Sequence, residues 1–234
     1  MHLYIIVAFQ LQYKKNEKMK TNSELQTDVQ NAIKWEPLLN DTEISVSAED
    51  GIVALTGIVD NYVKKIVAEN TSKKVIGVKA LVEKIDVKIP NSSRKKNTEI
   101  ASEVLNSLKS NSAIPIDKIT VKVEDGWVTL EGELMWNYQK EAAKKSVDYL
   151  MGVRGITNNI IIKSETNNII EQKAIENAID RNWDINDWDI HVKVSGKQVI
   201  LSGTVKSWYQ KDEAERICWN TPGISEVDNA LEVN

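Results

Sequence analysis

The chain repeats one pattern three times, and this internal repetition constrains its fold more than any other feature of the sequence. The same glycine recurs in each copy as Gly57, Gly132 and Gly203, with spacings of 75 and then 71 residues. Neighbouring residues keep these offsets without a gap over about 44 positions. The change in spacing falls in the segments between the copies, where insertions are tolerated. We therefore expect one small fold to occur three times.

The centre of each copy predicts a β-hairpin. In the first copy residues 44–48 alternate between apolar and polar side chains, which is the period of a strand with one buried face. Asp50-Gly51 and Asp125-Gly126 then provide hairpin turns, and Ser195-Gly196 does so in the third copy. The return strand places Gly57 on its buried face. Glycine weakens a strand, so close approach of a helix or a local bulge is expected there.

An amphipathic helix precedes each hairpin, and a second helix and a third strand follow it. Small residues recur in the second helix at Ala68, Ala143 and Ala214, which favours close packing on a sheet. The glycines expected to end this helix are Gly77, Gly152 and Gly223. The order αββαβ predicts the α+β class, with three tandem two-layer sandwiches in which two helices cover a three-stranded sheet.

The last strand of each copy carries one polar residue on its inward face. These residues are Glu83, Asn158 and Asn229. We expect them to bond to backbone groups rather than to act in catalysis.

Polar linkers at residues 89–97 and 163–168 divide the chain. The boundaries that follow are an extension over 1–22, a first domain over 23–90, a second over 97–163 and a third over 168–234.

Both the order of elements and the phrase DGWVTLEGEL, followed by GVRGITNNIII in the middle copy, resemble the BON domain family. The resemblance covers nearly all of residues 23–234. It implies a bacterial, non-enzymatic module, of the kind found in osmotically inducible periplasmic proteins, outer-membrane lipoproteins, secretins and mechanosensitive channels. It also implies binding to phospholipid surfaces.

Few residues in the sequence are candidates for catalysis or for binding a metal. The two histidines and the single cysteine, Cys218, are not spaced as a catalytic group or a metal site, so we expect no enzyme activity, no metal and no cofactor. The net charge of −4 argues against a nucleic-acid partner. His191 starts a strand on its outward side, and Cys218 falls on the sheet-facing stripe of a helix, where a structural thiol is expected.

The middle copy is the best candidate for contact with an anionic membrane. Residues 91–165 carry 11 basic and 10 acidic side chains, whereas residues 23–90 carry 8 and 11, and residues 166–234 carry 7 and 12. Aromatic and basic side chains favour the membrane interface. The candidate lipid-binding residues are Trp136, Tyr138, Lys140, Lys144, Lys145 and Arg154. Packing of the helix start is the structural alternative, because Tyr209 lies near the start of the equivalent helix in the most acidic copy.

A soluble adaptor that binds another protein is the second hypothesis. Its contacts would come from Trp35, Trp127, Trp183 and Trp188. Trp127 points outward beside the hairpin turn, where it either forms a partner surface or packs beneath a neighbouring domain.

The first residues bear on the compartment. The apolar segment of residues 3–9 is too short to cross a bilayer as a helix, and it lacks the features of a signal peptide. We expect residues 1–22 to be a disordered extension, or upstream sequence if Met19 is the true start. A start at Met19 favours the cytoplasm, and the family resemblance suggests the periplasm instead.

Overall fold

The computed structural model describes residues 20–163, 170–182 and 189–234, and they form three αββαβ units in tandem. The expected α+β class with three small sandwiches is confirmed. In repeat 1 the elements are α1 (Asn22–Trp35), β1 (Glu43–Glu49), β2 (Ile52–Val59), α2 (Tyr62–Lys73) and β3 (Ala80–Val87). In repeat 2 they are α3 (Asn97–Ser110), β4 (Ile119–Glu124), β5 (Trp127–Leu134), α4 (Asn137–Asp148) and β6 (Gly155–Ile162). In repeat 3 they are α5 (Gln172–Asp180), β7 (Ile190–Ser195), β8 (Gln198–Val205), α6 (Trp208–Trp219) and β9 (Glu226–Val233).

Each sheet is mixed and has the hairpin's return strand at its centre. In repeat 1 the order is β1-β2-β3, with β1 antiparallel to β2 and β3 parallel to it. The parallel pair requires a crossover, which α2 provides. The turns between the first two strands match the prediction closely, because Asp50 and Gly51 both have positive φ, as do Asp125 and Gly126. In repeat 3 the two turn residues are 196 and 197, with the positive φ at Gly196.

The recurrent glycine of the return strand faces the neighbouring strand rather than a helix. A Cβ atom on Gly57 would lie 2.5 Å from the carbonyl oxygen of Glu43, which begins β1. On Gly132 it would lie 2.1 Å from the carbonyl oxygen of Lys118, and φ there is +150°. Of the two expectations, a helix contact or a local bulge, the helix contact is wrong, because the close approach is to the backbone where the first strand begins.

The glycines expected to end the second helix lie beyond it. In repeat 1, α2 ends at Lys73, whereas Gly77 lies in the turn that leads to β3 and has a φ of +95°. Gly152 and Gly223 have nearly the same φ, 95° and 97°. These residues shape the turn before the last strand, and the prediction that they terminate the helix is wrong.

Three separate hydrophobic cores lie between the helices and the sheets. The small residues of the second helices, Ala68, Ala143 and Ala214, are fully buried, because only short side chains let the helix lie close to its sheet. The inward face of each central strand is equally closed, as with Leu55, Leu130 and Leu201, all 0% exposed.

The polar residue on the last strand bonds to backbone, as expected. Asn158 donates from Nδ2 to the carbonyl oxygen of Lys140 in α4 and accepts from its own strand at Ile160 N–H. Asn229 does the same in repeat 3. Glu83 accepts from Ile85 N–H and pairs with Lys65, so these side chains join the second helix to the last strand.

The second helices of the three repeats, α2, α4 and α6, contact one another, and at each contact the end of one helix lies near the start of another. Lys73, at the end of α2, lies 4.8 Å from the centre of the Trp208 ring and 3.1 Å from the Asp212 carboxylate, both in α6. At the start of α2, Tyr62 packs against the cores of both repeat 1 and repeat 2. A cleft between α4 and α6 completes the series. Each repeat is therefore next to both of the others.

One buried carboxylate lies at the contact between repeats 1 and 2. Asp148, the last residue of α4, is 8% exposed, and its Oδ1 atom has no hydrogen-bond partner within the described residues. Burial raises the pKa of this carboxyl; the nearby Lys144 and Lys145 lower it, and Glu141 raises it further. Burial and the nearby Asp148 also raise the pKa of Tyr62 to about 12.

Replacement of Asp148 by asparagine should change how stability depends on pH. A carboxyl whose pKa is raised on folding binds its proton more tightly in the folded state, so it lowers the free energy of unfolding as pH rises through that pKa. We expect Asp148→Asn to lose this fall, which begins near the ordinary carboxyl pKa of 3.8 and continues above it. Urea unfolding at a series of pH values would measure the difference. Equal pH profiles for the variant and the wild type would contradict the burial of the charge.

Candidate membrane-binding surface

The residues predicted to bind lipid do not lie on one surface. Tyr138, Lys140 and Lys145 line the cleft between repeats 2 and 3. Lys144 lies toward repeat 1, near Glu69 and Asp148. Burial raises the pKa of both carboxyls, and Lys144 opposes part of that rise. The six predicted residues therefore divide among several parts of repeat 2.

Two more of the predicted residues have local structural contacts. Trp136 is half-buried at the N-cap position of α4, where its backbone N–H donates to the side chain of Gln139. Arg154 lies at the junction of repeats 1 and 2 and donates from Nε to the carbonyl oxygen of Val87, at 3.2 Å. Neither residue belongs to the exposed end of α4.

The cleft between repeats 2 and 3 has a cavity volume of about 820 Å³. Lys140 and Lys145 line it together with Asp212 and Glu215 of α6, so its charges are mixed. Lys140 also corresponds to Lys65 and Lys211, which donate to backbone carbonyl oxygens of the last strand in their own repeats. An anionic headgroup would meet carboxylates as well as lysines here. This cleft is therefore a poor anion site.

The end of α4 is a better candidate surface. Tyr149, which caps α4, is 76% exposed, and Met151 in the following turn is 57% exposed. Lys145 is exposed one helical turn earlier, and residues four apart lie on the same side of a helix. An aromatic ring, a flexible apolar side chain and a cation thus occur together on one exposed segment.

Tyr149 is not among the six predicted lipid-binding residues, and the sequence pattern did not indicate Met151. The sequence signal that could have indicated Met151 is an apolar residue in the turn after the helix, where the helical pattern has already ended. Ile76 occupies the same position in repeat 1 and is 51% exposed.

Trp127 lies across the outer face of its own sheet. Its Nε1 donates to the hydroxyl of Thr157 at 2.9 Å, and its ring covers Gly155, where a Cβ atom would lie 2.3 Å from the ring. The side chain stays 47% exposed. Trp35 is 85% exposed at the end of α1, whereas Trp183 and Trp188 lie outside the described residues.

Within the described residues, Cys218 and His191 lie in different surroundings. Burial raises the pKa of the Cys218 thiol to about 12, and Glu215 adds to the effect, so the reactive thiolate is disfavoured. His191 is exposed next to Asp189. Across residues 20–163, 170–182 and 189–234, no group of histidine, cysteine and carboxylate side chains could hold a metal ion. Within the same ranges, none of the helices combines the length and the apolar character that crossing a bilayer requires.

The chain is similar to the osmotically-inducible protein Y of Escherichia coli (strain K12), with 26% identity over 129 residues, covering 53% of this chain and 64% of that protein. This chain therefore spans less than two thirds of the length of that relative. Two solved structures of CdsD, a structural protein of the type III secretion system of Chlamydia trachomatis, match with 16% identity. The first covers 89% of this chain and 91% of its own, with a TM-score of 0.25, and the second, the C-terminal domain, covers 92% and 100%, with a TM-score of 0.24.

The family comparison agrees with the repeats seen in the structure. The sequence profile of the BON domain matches three times, over residues 21–89, 96–164 and 169–234. Each match contains one αββαβ unit. Since the matches together cover most of the sequence, this chain belongs to the BON domain family and carries three tandem copies of the domain.

Proposed function

We propose that this protein is a non-enzymatic BON-repeat protein that attaches to anionic phospholipid surfaces in osmotic or envelope stress protection. Similarity to an osmotically-inducible protein supports the stress context. The membrane contact in this proposal is the end of α4 together with the turn that follows it.

The exposure of Tyr149 and Met151 beside Lys145 carries the proposal. Tyrosine favours the interface because its ring is apolar and its hydroxyl is polar. Methionine adapts its shape to an irregular apolar environment. A lysine near an anionic surface adds roughly 1 kcal/mol of attraction, so binding through so few groups is weak and falls as salt rises.

Co-sedimentation with vesicles tests the proposal. We expect the wild-type chain to pellet with phosphatidylglycerol vesicles at low salt, but not with phosphatidylcholine vesicles or at high salt. A triple variant, Lys145→Glu, Tyr149→Ser and Met151→Ser, should reduce the bound fraction at least fivefold.

The matched control places similar changes elsewhere. Lys34→Glu with Trp35→Ser alters an exposed cation and an exposed ring at the end of α1. It should pellet like the wild type. Equal loss in both variants would show that total charge, rather than the end of α4, governs the binding.

A soluble protein–protein adaptor is the second candidate, and the outer face of the first sheet favours it. Ile52, Ile58 and Val82 point away from the core and are 47%, 50% and 41% exposed. Exposed apolar groups on one face are typical of interaction surfaces. No pelleting of the wild type on any vesicle at low salt would favour the adaptor.

A further inference from the structure

A surface with an excess of positive charge lies at the junction of repeats 1 and 2, and part of it is the turn between α4 and β6. It is a cleft with a cavity volume of about 330 Å³. One wall is the end of β3 with the linker after it, and the other is the hairpin turn of repeat 2 with the turn before β6. We propose that this cleft binds a phosphate-type oxyanion, either inorganic phosphate or a phosphate monoester. This inference does not depend on the proposed membrane contact.

The charge of the cleft contrasts with that of the chain. Its lining includes four cationic residues and one acidic residue, Asp125. The cationic residues are Lys88, Arg94, Lys95 and Arg154. Lys95 forms a 2.5 Å ion pair with Glu103, which leaves three cations against one carboxylate. Because the whole chain has a net charge of −4, this excess of positive charge is local.

The two arginines are held in place by backbone carbonyl groups. Arg154 donates from Nε to Val87, and its backbone N–H donates to the carbonyl oxygen of Gly126 at 2.8 Å. Arg94 donates from Nε to the carbonyl oxygen of Ile89, at 3.4 Å. Within the residues that the structure describes, the terminal amino groups of both side chains have no hydrogen-bond partner. These planar groups are therefore free to bind an oxyanion in the bidentate way that phosphate favours.

The start of α3 adds to the attraction. Asn97, its first residue, lines the cleft, and its side chain accepts from Gly126 N–H at 3.2 Å. The positive end of a helix of 14 residues therefore lies at the cleft, and helix N-termini attract anions. The helix end supplements the arginines and would not be a site without them.

The residues that line the cleft come from both repeat 1 and repeat 2. Val87 and Arg94 belong to repeat 1 and its linker, whereas Arg154 and Gly126 belong to repeat 2. A bound dianion would neutralise the repulsion between Arg94 and Arg154 and would hold the two repeats together. Ligand binding should therefore raise the thermal unfolding midpoint of the chain.

The experiment follows the backbone amide signals of Gly126 and Gly152 in the NMR spectrum of the full chain. Inorganic phosphate is the first probe, glycerol phosphate the second and short-chain phosphatidylglycerol, a diester, the third, all at constant ionic strength. We expect saturable shifts with the first two probes and weaker binding of the diester. The double variant Arg94→Gln and Arg154→Gln should weaken phosphate binding at least tenfold.

Two further variants separate the cleft from general charge effects. Lys145→Gln, at the end of α4, removes one positive charge outside the cleft and should change phosphate affinity less than twofold. Arg154→Lys keeps the charge but loses the planar fork, and it should weaken binding severalfold while leaving the fold intact. Shifts that do not saturate, or equal affinity in the wild type and the double variant, would overturn the proposal. Tighter binding of the diester than of both inorganic phosphate and glycerol phosphate would overturn it too, and would identify the cleft as a lipid headgroup site instead.

Discussion

Gly203→Ala is expected to lower the free energy of unfolding of repeat 3 by roughly 2 to 6 kcal/mol, the sum of overpacking and backbone strain. A Cβ atom at this position would lie 1.7 Å from the carbonyl oxygen of Asp189, the residue just before β7. The obstacle is backbone, so no side-chain rotation can relieve it. The φ of Gly203 is +117°, which L-residues rarely adopt. Urea unfolding followed by a probe in repeat 3 measures the loss.

Gly196→Ala is the matched control within the same repeat. Gly196 also has a positive φ, +61°, but an added Cβ atom would meet nothing within 4 Å. Only the backbone preference is lost, which costs about 1 to 2 kcal/mol. If the two substitutions destabilised repeat 3 equally, the proposed clash with the first strand would be incorrect.

Leu130→Ala should destabilise repeat 2 by about 2 to 5 kcal/mol, the usual cost of a large cavity in a core. Leu130 is 0% exposed at the centre of β5 and packs among the residues of α3, α4 and β6. Thermal and urea unfolding would both show the loss.

Ile161→Ala removes the same number of carbon atoms from the neighbouring strand. Ile161 is 63% exposed, so its removal leaves no cavity, and we expect a change below about 0.5 kcal/mol. A large effect at Ile161 would mean that the outer face of the sheet is covered in solution.

Much of each repeat could be predicted from alternation alone. Residues 44–48 lie in β1, as expected, and the central strand buries Val53, Leu55 and Val59. The polar residues of the last strand bond to backbone because a buried amide or carboxylate needs a partner. The close approach at Gly57 was predicted, but the element that approaches was not. A missing Cβ atom does not indicate which neighbouring element lies close.

The arrangement of the repeats was beyond prediction from periodicity. Tyr62 looks like any helix-start aromatic in the sequence, but it packs against two cores at once. Asp148 falls at the end of a helix where a solvated carboxylate is ordinary, and only the neighbouring repeat buries it. Arg154 was grouped with the lysines of α4, because charge in a sequence carries no information on which repeat the side chain will contact. Because the repeats pack in this way, the six residues predicted to form one lipid-binding surface lie in several separate places.

Hydrogen–deuterium exchange of the full chain carrying Leu130→Ala tests most directly that each repeat encloses its own core. If each repeat encloses its own core, exchange should be faster throughout β4, β5 and β6, while β2 and β8 keep nearly their wild-type protection. Equal loss of protection in all three central strands would contradict it, because a cavity in one core would then have opened a single structure shared by the whole chain.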